Sequence, residues 1–204
     1  MSEVEEKKSG DCYSAGERGW MEFGQRLRAT ALAPLLRVLA ALRVTPDHLT
    51  LLSLLAGLAF CPLYFQSVAW ALVALLLHVL LDGLDGPLAR YLGVASRRGS
   101  FTDTMSDQLV VTATTITLMK VGVIGVAAGG VYIFVYGIVV AFAMIRNAMK
   151  IPYSWLVRPR FVVYVWMMVE VWWWPGTIEY VLWIASVLLG LKMISGFLRI
   201  RKAL

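Results

Sequence analysis

Residues 82–107 read DGLDGPLARYLGVASRRGSFTDTMSD. Two carboxylate pairs stand in this stretch, Asp82 with Asp85 and Asp103 with Asp107. Long apolar sequence precedes the first pair (WALVALLLHVLL) and follows the second (LVVTATTITLM). Spacings of three and four residues put side chains on one face of a helix, so helical flanks give each pair a common face. Charge joined to membrane-length apolar runs is expensive, and it is ordinarily functional and partnered. A lone Asp near a helix end is usually a cap or simply solvated. Two pairs at helical spacing, each tied to such a run, argue against that reading. Facing pairs make an all-oxygen cage, the donor set of hard divalent cations such as Mg²⁺, Mn²⁺ or Ca²⁺.

The sequence around this stretch sets the class. Of 204 residues, 59% are hydrophobic and only 16% charged, with a mean hydropathy of +0.72. A soluble domain of this length does not carry such long apolar runs, so the expected class is integral membrane protein. The net charge of +6 fits basic loops and anionic headgroups. No basic and aromatic interleaving marks a polar segment, so nucleic acid is not an expected partner. Cys12 and Cys61 lie far apart in unlike settings and suggest neither a disulfide framework nor a zinc site. Neither a signal peptide nor a lipidation box is expected.

The apolar runs predict an all-α fold: a polytopic membrane protein of six transmembrane helices plus an N-terminal amphipathic interfacial helix. Residues 1–18 read as a polar flexible tail and 19–204 as a single membrane domain. Within it, 19–43 form a juxtamembrane amphipathic helix bent at Pro34, and 46–199 form the six-helix bundle. The spans fall near 46–66, 68–92, 100–122, 128–150, 158–174 and 177–199, with Thr45 or Asp47 capping the first and Trp172, Trp173 and Trp174 forming a belt at the end of the fifth. The glycines at 122, 125, 129 and 130 blur the join of the third and fourth. Arg90, Arg97, Arg98, Arg146, Lys150, Arg158 and Arg160 flank the connections after spans two and four. The connections after spans one and five carry no Lys or Arg. The positive-inside rule then places both termini and the Asp stretch on the cytoplasmic side of the cell membrane.

The same stretch fits the pattern D-x2-D-G-x2-A-R-x8-G-x3-D-x3-D at every defined position, through Asp82, Asp85, Gly86, Ala89, Arg90, Gly99, Asp103 and Asp107. In this the chain resembles the CDP-alcohol phosphotransferases. The resemblance implies transfer of a phosphatidyl group from a CDP-linked lipid, CDP-diacylglycerol, to an alcohol acceptor, with release of CMP. It implies divalent cations, Mg²⁺ or Mn²⁺, two per site, and a homodimer in the lipid bilayer. By carry-over, Asp82, Asp85 and Asp103 hold one metal, and Asp82, Asp103 and Asp107 share the second. Asp107 is also the catalytic base that takes the acceptor's hydroxyl proton. Gly86, Ala89, Arg90 and Gly99, with Asp47, Thr50 and Ser96, are the implied contacts to the CDP-lipid. Asp47 stands where many relatives have Asn.

Local readings stand beside these. Gly86 and Ala89 suit helix packing, and Gly99 suits a loop. Arg90 suits a topological anchor as well as a phosphate, and Pro87 should kink its helix. His78, one turn before Asp82, is either its support or a structural histidine. His48 and Glu170 read as local structural residues. Arg146 and Lys150 share a helix face and, with Arg158 and Arg160, form a candidate acceptor site. A cationic site would suit an acceptor that carries its own phosphate, such as inositol phosphate or glycerol phosphate. Two alternatives remain: the same chemistry on an unphosphorylated alcohol, and an ion-coupled transporter whose intramembrane Asp residues line an ion path.

Overall fold

The computed structural model describes residues 31–149, 151 and 159–204. The expected tail at 1–18, the first part of the 19–43 helix, Lys150 and Arg158 lie outside the described residues. Seven helices are described: α1 (Ala31–Ala41), α2 (Pro46–Tyr64), α3 (Val68–Tyr91), α4 (Arg97–Lys120), α5 (Val126–Ala148), α6 (Pro159–Trp172) and α7 (Ile178–Ala203). No strand occurs among the described residues.

Local chemistry sets the helix ends. Thr45 caps α2: its side chain accepts from the His48 N–H, and the His48 ring accepts from the Thr45 N–H in return, a reciprocal box with Pro46 in the first turn. The α3 helix stops at Gly93, whose φ of +69° only a residue without Cβ adopts freely. There Val94 N–H bonds back to the Ala89 carbonyl at 2.9 Å and closes the turn. Ser96 then starts α4 by accepting from Gly99 N–H at 3.1 Å. Gly99 therefore belongs to the first turn of α4 rather than to the loop.

The helices fall into two compact units, Glu22–Val123 and the part from Ile124 to Leu204. In the first, α2 packs along α3 and against α4. Gly57 makes the second contact possible: a Cβ there would lie 2.5 and 2.7 Å from the two Val110 methyls of α4. The α1 helix seats Leu36 against Leu49 and Leu88, while Leu35, Val38 and Leu42 stay exposed. Among the described residues it is thus packed on one side and carries exposed apolar side chains on the other.

In the second unit, α5 and α6 each pack on α7. Gly196 of α7 leaves room for the Phe142 ring of α5, 3.2 Å from where a Cβ would stand. The turn between α6 and α7 is held by one side chain. Glu170 accepts from the backbone N–H groups of Gly176, Thr177 (2.9 Å) and Ile178 (2.8 Å), an anion on a helix N-terminus. Trp166 Nε1 donates to Thr177 Oγ1 at 2.9 Å beside it.

Four helices, α2, α3, α5 and α7, are long and apolar enough to cross a membrane, and the protein is a multi-pass membrane protein. Their outward faces are apolar: on α7, Ile184, Val187 and Leu191 are each 61% exposed. The α4 helix has 24 residues, but the charges at 97, 98, 103 and 107 and a run of hydroxyls lower its hydropathy. Among the described residues α6 has 14. It ends at Trp172, so Trp173 and Trp174 lie in the turn rather than in the helix.

Candidate active site

The site lies in the first unit, where the C-terminal half of α3 and the N-terminal half of α4 bring the motif residues together. Asp82 and Asp85 are one helical step apart on α3, and Asp103 is in the second turn of α4. These three carboxylates offer oxygens that all lie within 4.8 Å of one another. Asp107, one turn further along α4, is not in that set. It is buried, with Oδ1 4.0 Å from His78 Nε2.

The surroundings hold the carboxylates in place. Asp85 is only 7% exposed, and Thr50 of α2 donates to its Oδ2 at 2.8 Å. Thr50 Oγ1 is also 3.2 Å from the Pro46 carbonyl, which fixes its rotamer. Gly86 N–H donates to Asp85 Oδ1. Like charges this close repel strongly in a partly dry setting and call for a counter-charge. A hard divalent cation fits the donor set: the atoms are all carboxylate oxygens, already gathered from two helices.

The residues expected to meet the CDP-lipid sort by position. Arg90 is exposed in the last turn of α3, and its Nη1 lies 3.5 Å from where a Gly86 Cβ would be. Gly86 thus gives a bare helix surface beside the guanidinium. Ala89 is partly buried on the same turn. Asp47 is exposed in the first turn of α2, whereas Thr50 turns inward to Asp85. Ser96 and Gly99 are engaged with each other in the α4 cap.

The basic residues of the second unit are partly described. Arg146 ends α5 at 6% exposure, and Arg160 begins α6 at 1%. The Arg160 guanidinium lies 4.7 Å from the Phe161 ring centre.

Two buried polar residues beside the carboxylates deserve a structural account. His78 of α3 lies on α2 Ser53, with Nδ1 2.8 Å from Ser53 Oγ and 3.1 Å from the Ser53 carbonyl. The sequence offers His78 as a neighbour of Asp82 along its own helix. The fold points Nε2 toward Asp107 of α4. Ser53 was not among the expected residues, and its one signal is a hydroxyl inside an apolar helix.

A model of the CDP-alcohol phosphatidyltransferase family matches residues 43–193. Archaetidylinositol phosphate synthase of Pyrococcus horikoshii is 38% identical over 88 residues, 41% of this chain and 47% of that protein. CDP-diacylglycerol–serine O-phosphatidyltransferase of Mycobacterium tuberculosis is 30% identical over 112 residues, 53% of this chain and 39% of that protein. The chain thus spans less than half the length of these curated relatives. The crystal structure of Mycobacterium tuberculosis phosphatidylinositol phosphate synthase with CDP-DAG bound shares the fold, with a TM-score of 0.70 at 20% identity over 83% of this chain and 92% of that one. The same enzyme in complex with manganese and citrate matches with a TM-score of 0.69 at 20% identity, over 81% of this chain and 87% of that one. Because the family pattern runs from Arg43 through α2–α6 and into α7, this protein belongs to the CDP-alcohol phosphatidyltransferase family.

Proposed function

We propose that the protein transfers a phosphatidyl group from CDP-diacylglycerol to an alcohol and releases CMP. The observation that carries this is the meeting of Asp82, Asp85 and Asp103 within 4.8 Å on the family's own motif positions. In the reaction an acceptor oxygen forms a bond to the lipid-side phosphorus, the bond from that phosphorus to the CMP oxygen breaks, and the hydroxyl proton leaves. Asp107 takes that proton. Arg90 donates to the diphosphate, and the bare surface at Gly86 and Ala89 lets the nucleotide lie against α3. Asp47, Thr50, Ser96 and Gly99 complete the CDP-lipid contacts. Asp82, Asp85 and Asp103 hold one divalent cation, and Asp107 joins Asp82 and Asp103 in holding a second. When bound, such cations, Mg²⁺ or Mn²⁺, neutralise the diphosphate and favour in-line displacement. The complex with manganese in a relative of the same fold supports this reading.

The proposed arrangement in the membrane is a single domain of six spans, α2 to α7, with both termini and the site facing the cytoplasm, and two copies per assembly. The proposed acceptor is a phosphorylated polyol, inositol phosphate or glycerol phosphate. Support comes from Arg146 and Arg160, which are 6% and 1% exposed. A charge that serves only topology gains most at the headgroup level, in contact with water. We assign the acceptor's phosphate to these two with Lys150 and Arg158.

The test is CMP release by the detergent-purified protein with CDP-diacylglycerol and a panel of acceptors. CMP release that depends on an added alcohol is expected, fastest with a phosphorylated polyol. No CMP release with any acceptor would overturn the enzymatic reading and favour an ion path. Arg146→Ala should raise the acceptor KM far more than the KM for CDP-diacylglycerol. Preference for serine or a free polyol would overturn the choice of acceptor alone.

A further inference from the structure

His78 is 1% exposed, in a helix whose other buried residues include Ala71, Leu72, Ala74 and Leu75. A polar ring in such a place is costly unless both nitrogens are engaged. One edge of the ring is fixed by a single residue of α2. Nδ1 is 2.8 Å from Ser53 Oγ and 3.1 Å from the Ser53 carbonyl, and Ser53 Oγ is 3.1 Å from the His78 carbonyl. One turn further along α2, Gly57 removes what would block the ring: a Cβ there would stand 3.2 Å from His78 Cγ. The ring is therefore clamped across the α2–α3 interface, and Nε2 points toward α4, 4.0 Å from Asp107 Oδ1. That is ion-pair distance, longer than a hydrogen bond. Of these partners the Ser53 carbonyl can only accept, whereas the Ser53 hydroxyl and the Asp107 carboxylate can each meet a ring N–H.

We propose that His78, clamped by Ser53, is a positioning residue that orients the Asp107 carboxylate. It draws Oδ1 to the ring and leaves Oδ2 to take the acceptor's proton and to meet a cation. This rests on the function proposed above. Partners of this kind behind metal ligands fix the ligand's orientation and commonly alter metal affinity or activity when removed. The motif pairs Asp107 only with Asp103, so nothing in the motif itself supplies this contact.

The geometry gives two informative variants on the full-length protein. In His78→Asn the amide reaches the Ser53 partners but falls short of Asp107. In His78→Gln the longer side chain reaches the Nε2 position. We expect His78→Asn to lower both kcat and the affinity for Mn²⁺, followed by electron paramagnetic resonance without substrates, by roughly 10–100-fold, with the KM for CDP-diacylglycerol within about threefold of the parent. His78→Gln should recover most of both losses, and Ser53→Ala should fall between. Thermal unfolding of each variant is measured alongside. The proposal is overturned if Asn and Gln variants are equal in kcat and Mn²⁺ affinity, whether both match the parent or both fall with stability. If the parent protein releases no CMP, the proposed function fails. The Mn²⁺ affinities, ordered parent, Gln, Asn, would still carry the positioning role, and equal affinities would still sink it.

Discussion

Thr50 and Asp85 set the smallest scale. The carboxylate is 7% exposed and takes a hydrogen bond of 2.8 Å from the hydroxyl. Thr50→Val keeps the shape and removes the donor, and a hydrogen bond to a charged group is worth about 1.5–3 kcal/mol. The variant should bind Mn²⁺ more weakly and unfold at lower temperature; unchanged values would mean that another donor holds Asp85. Each of Asp82→Asn, Asp85→Asn, Asp103→Asn and Asp107→Asn should lower CMP release on the order of 10³-fold or more, because each removes several kcal/mol of transition-state stabilisation. EDTA should abolish turnover, and added Mg²⁺ or Mn²⁺ should restore it. A near-normal rate in Asp107→Asn would remove that residue's role as base, and activity indifferent to EDTA would remove the cations. At this scale the sequence was legible along each helix and not across helices. Spacing put Asp82 with Asp85 on one face. It offered His78 either as a support for Asp82 or as a structural histidine, because same-helix neighbours are all that spacing reports. Which atoms face one another across α2, α3 and α4 depends on Gly57 and Val110 setting the helix separation, and no periodicity encodes that.

Helix junctions are the next scale. Gly57→Ala would place a Cβ 2.5 Å from a Val110 methyl, and Val110 is a fully buried, branched side chain. Overpacking of this kind costs about 1–3 kcal/mol. The variant should lose stability and activity together, and Gly57→Ala with Val110→Ala should recover much of the stability. No recovery would place the strain elsewhere. At the other end of the chain, Glu170→Ala removes the acceptor that joins the N–H groups of Gly176, Thr177 and Ile178. The loss of a cap costs about 0.5–2 kcal/mol. Each kcal/mol corresponds to about 2–4 °C in Tm for a chain of this size. CMP release at low temperature should change little, since Glu170 is remote in sequence from the motif. Helix starts were the most legible feature of all: Thr45, followed by Pro46, marks a cap that the structure uses. The reach of Glu170 over six to eight residues to a helix start had no such signature, because its partners are backbone groups.

The whole chain carries a charge of +6, with basic residues clustered at the connections after the second and fourth proposed spans. After replacement of Cys12 and Cys61, a cysteine at 176 should react with a membrane-impermeant thiol reagent added from outside intact cells, and one at 97 should not. The opposite pattern would invert the proposed orientation. The apolar runs made all six helices of the proposed bundle legible to within a few residues. Crossing the membrane is a different property from being helical, and among the described residues only α2, α3, α5 and α7 reach it on length and composition alone. The motif is the reason for the exception at α4. The residues that bind charge are the same residues that make the helix polar.

That polarity has a bearing on biogenesis. Asp103 and Asp107 lie in the first half of α4, and a charged residue near the centre of a nascent span costs about 2.5–3.5 kcal/mol at the translocon. Its later threonines turn their hydroxyls back onto helix carbonyls, as Thr114 and Thr115 do at 2.8 and 2.7 Å, which shields them without making the segment strongly apolar. In the proposed six-span layout α4 would therefore enter lipid as a passenger of α2 and α3, retained beside the translocon until all three can leave together. Fused alone to a reporter carrying a glycosylation site, α4 should fail to insert; preceded by α2 and α3 it should insert. Autonomous insertion of α4 would show that its chemistry imposes no such order on synthesis.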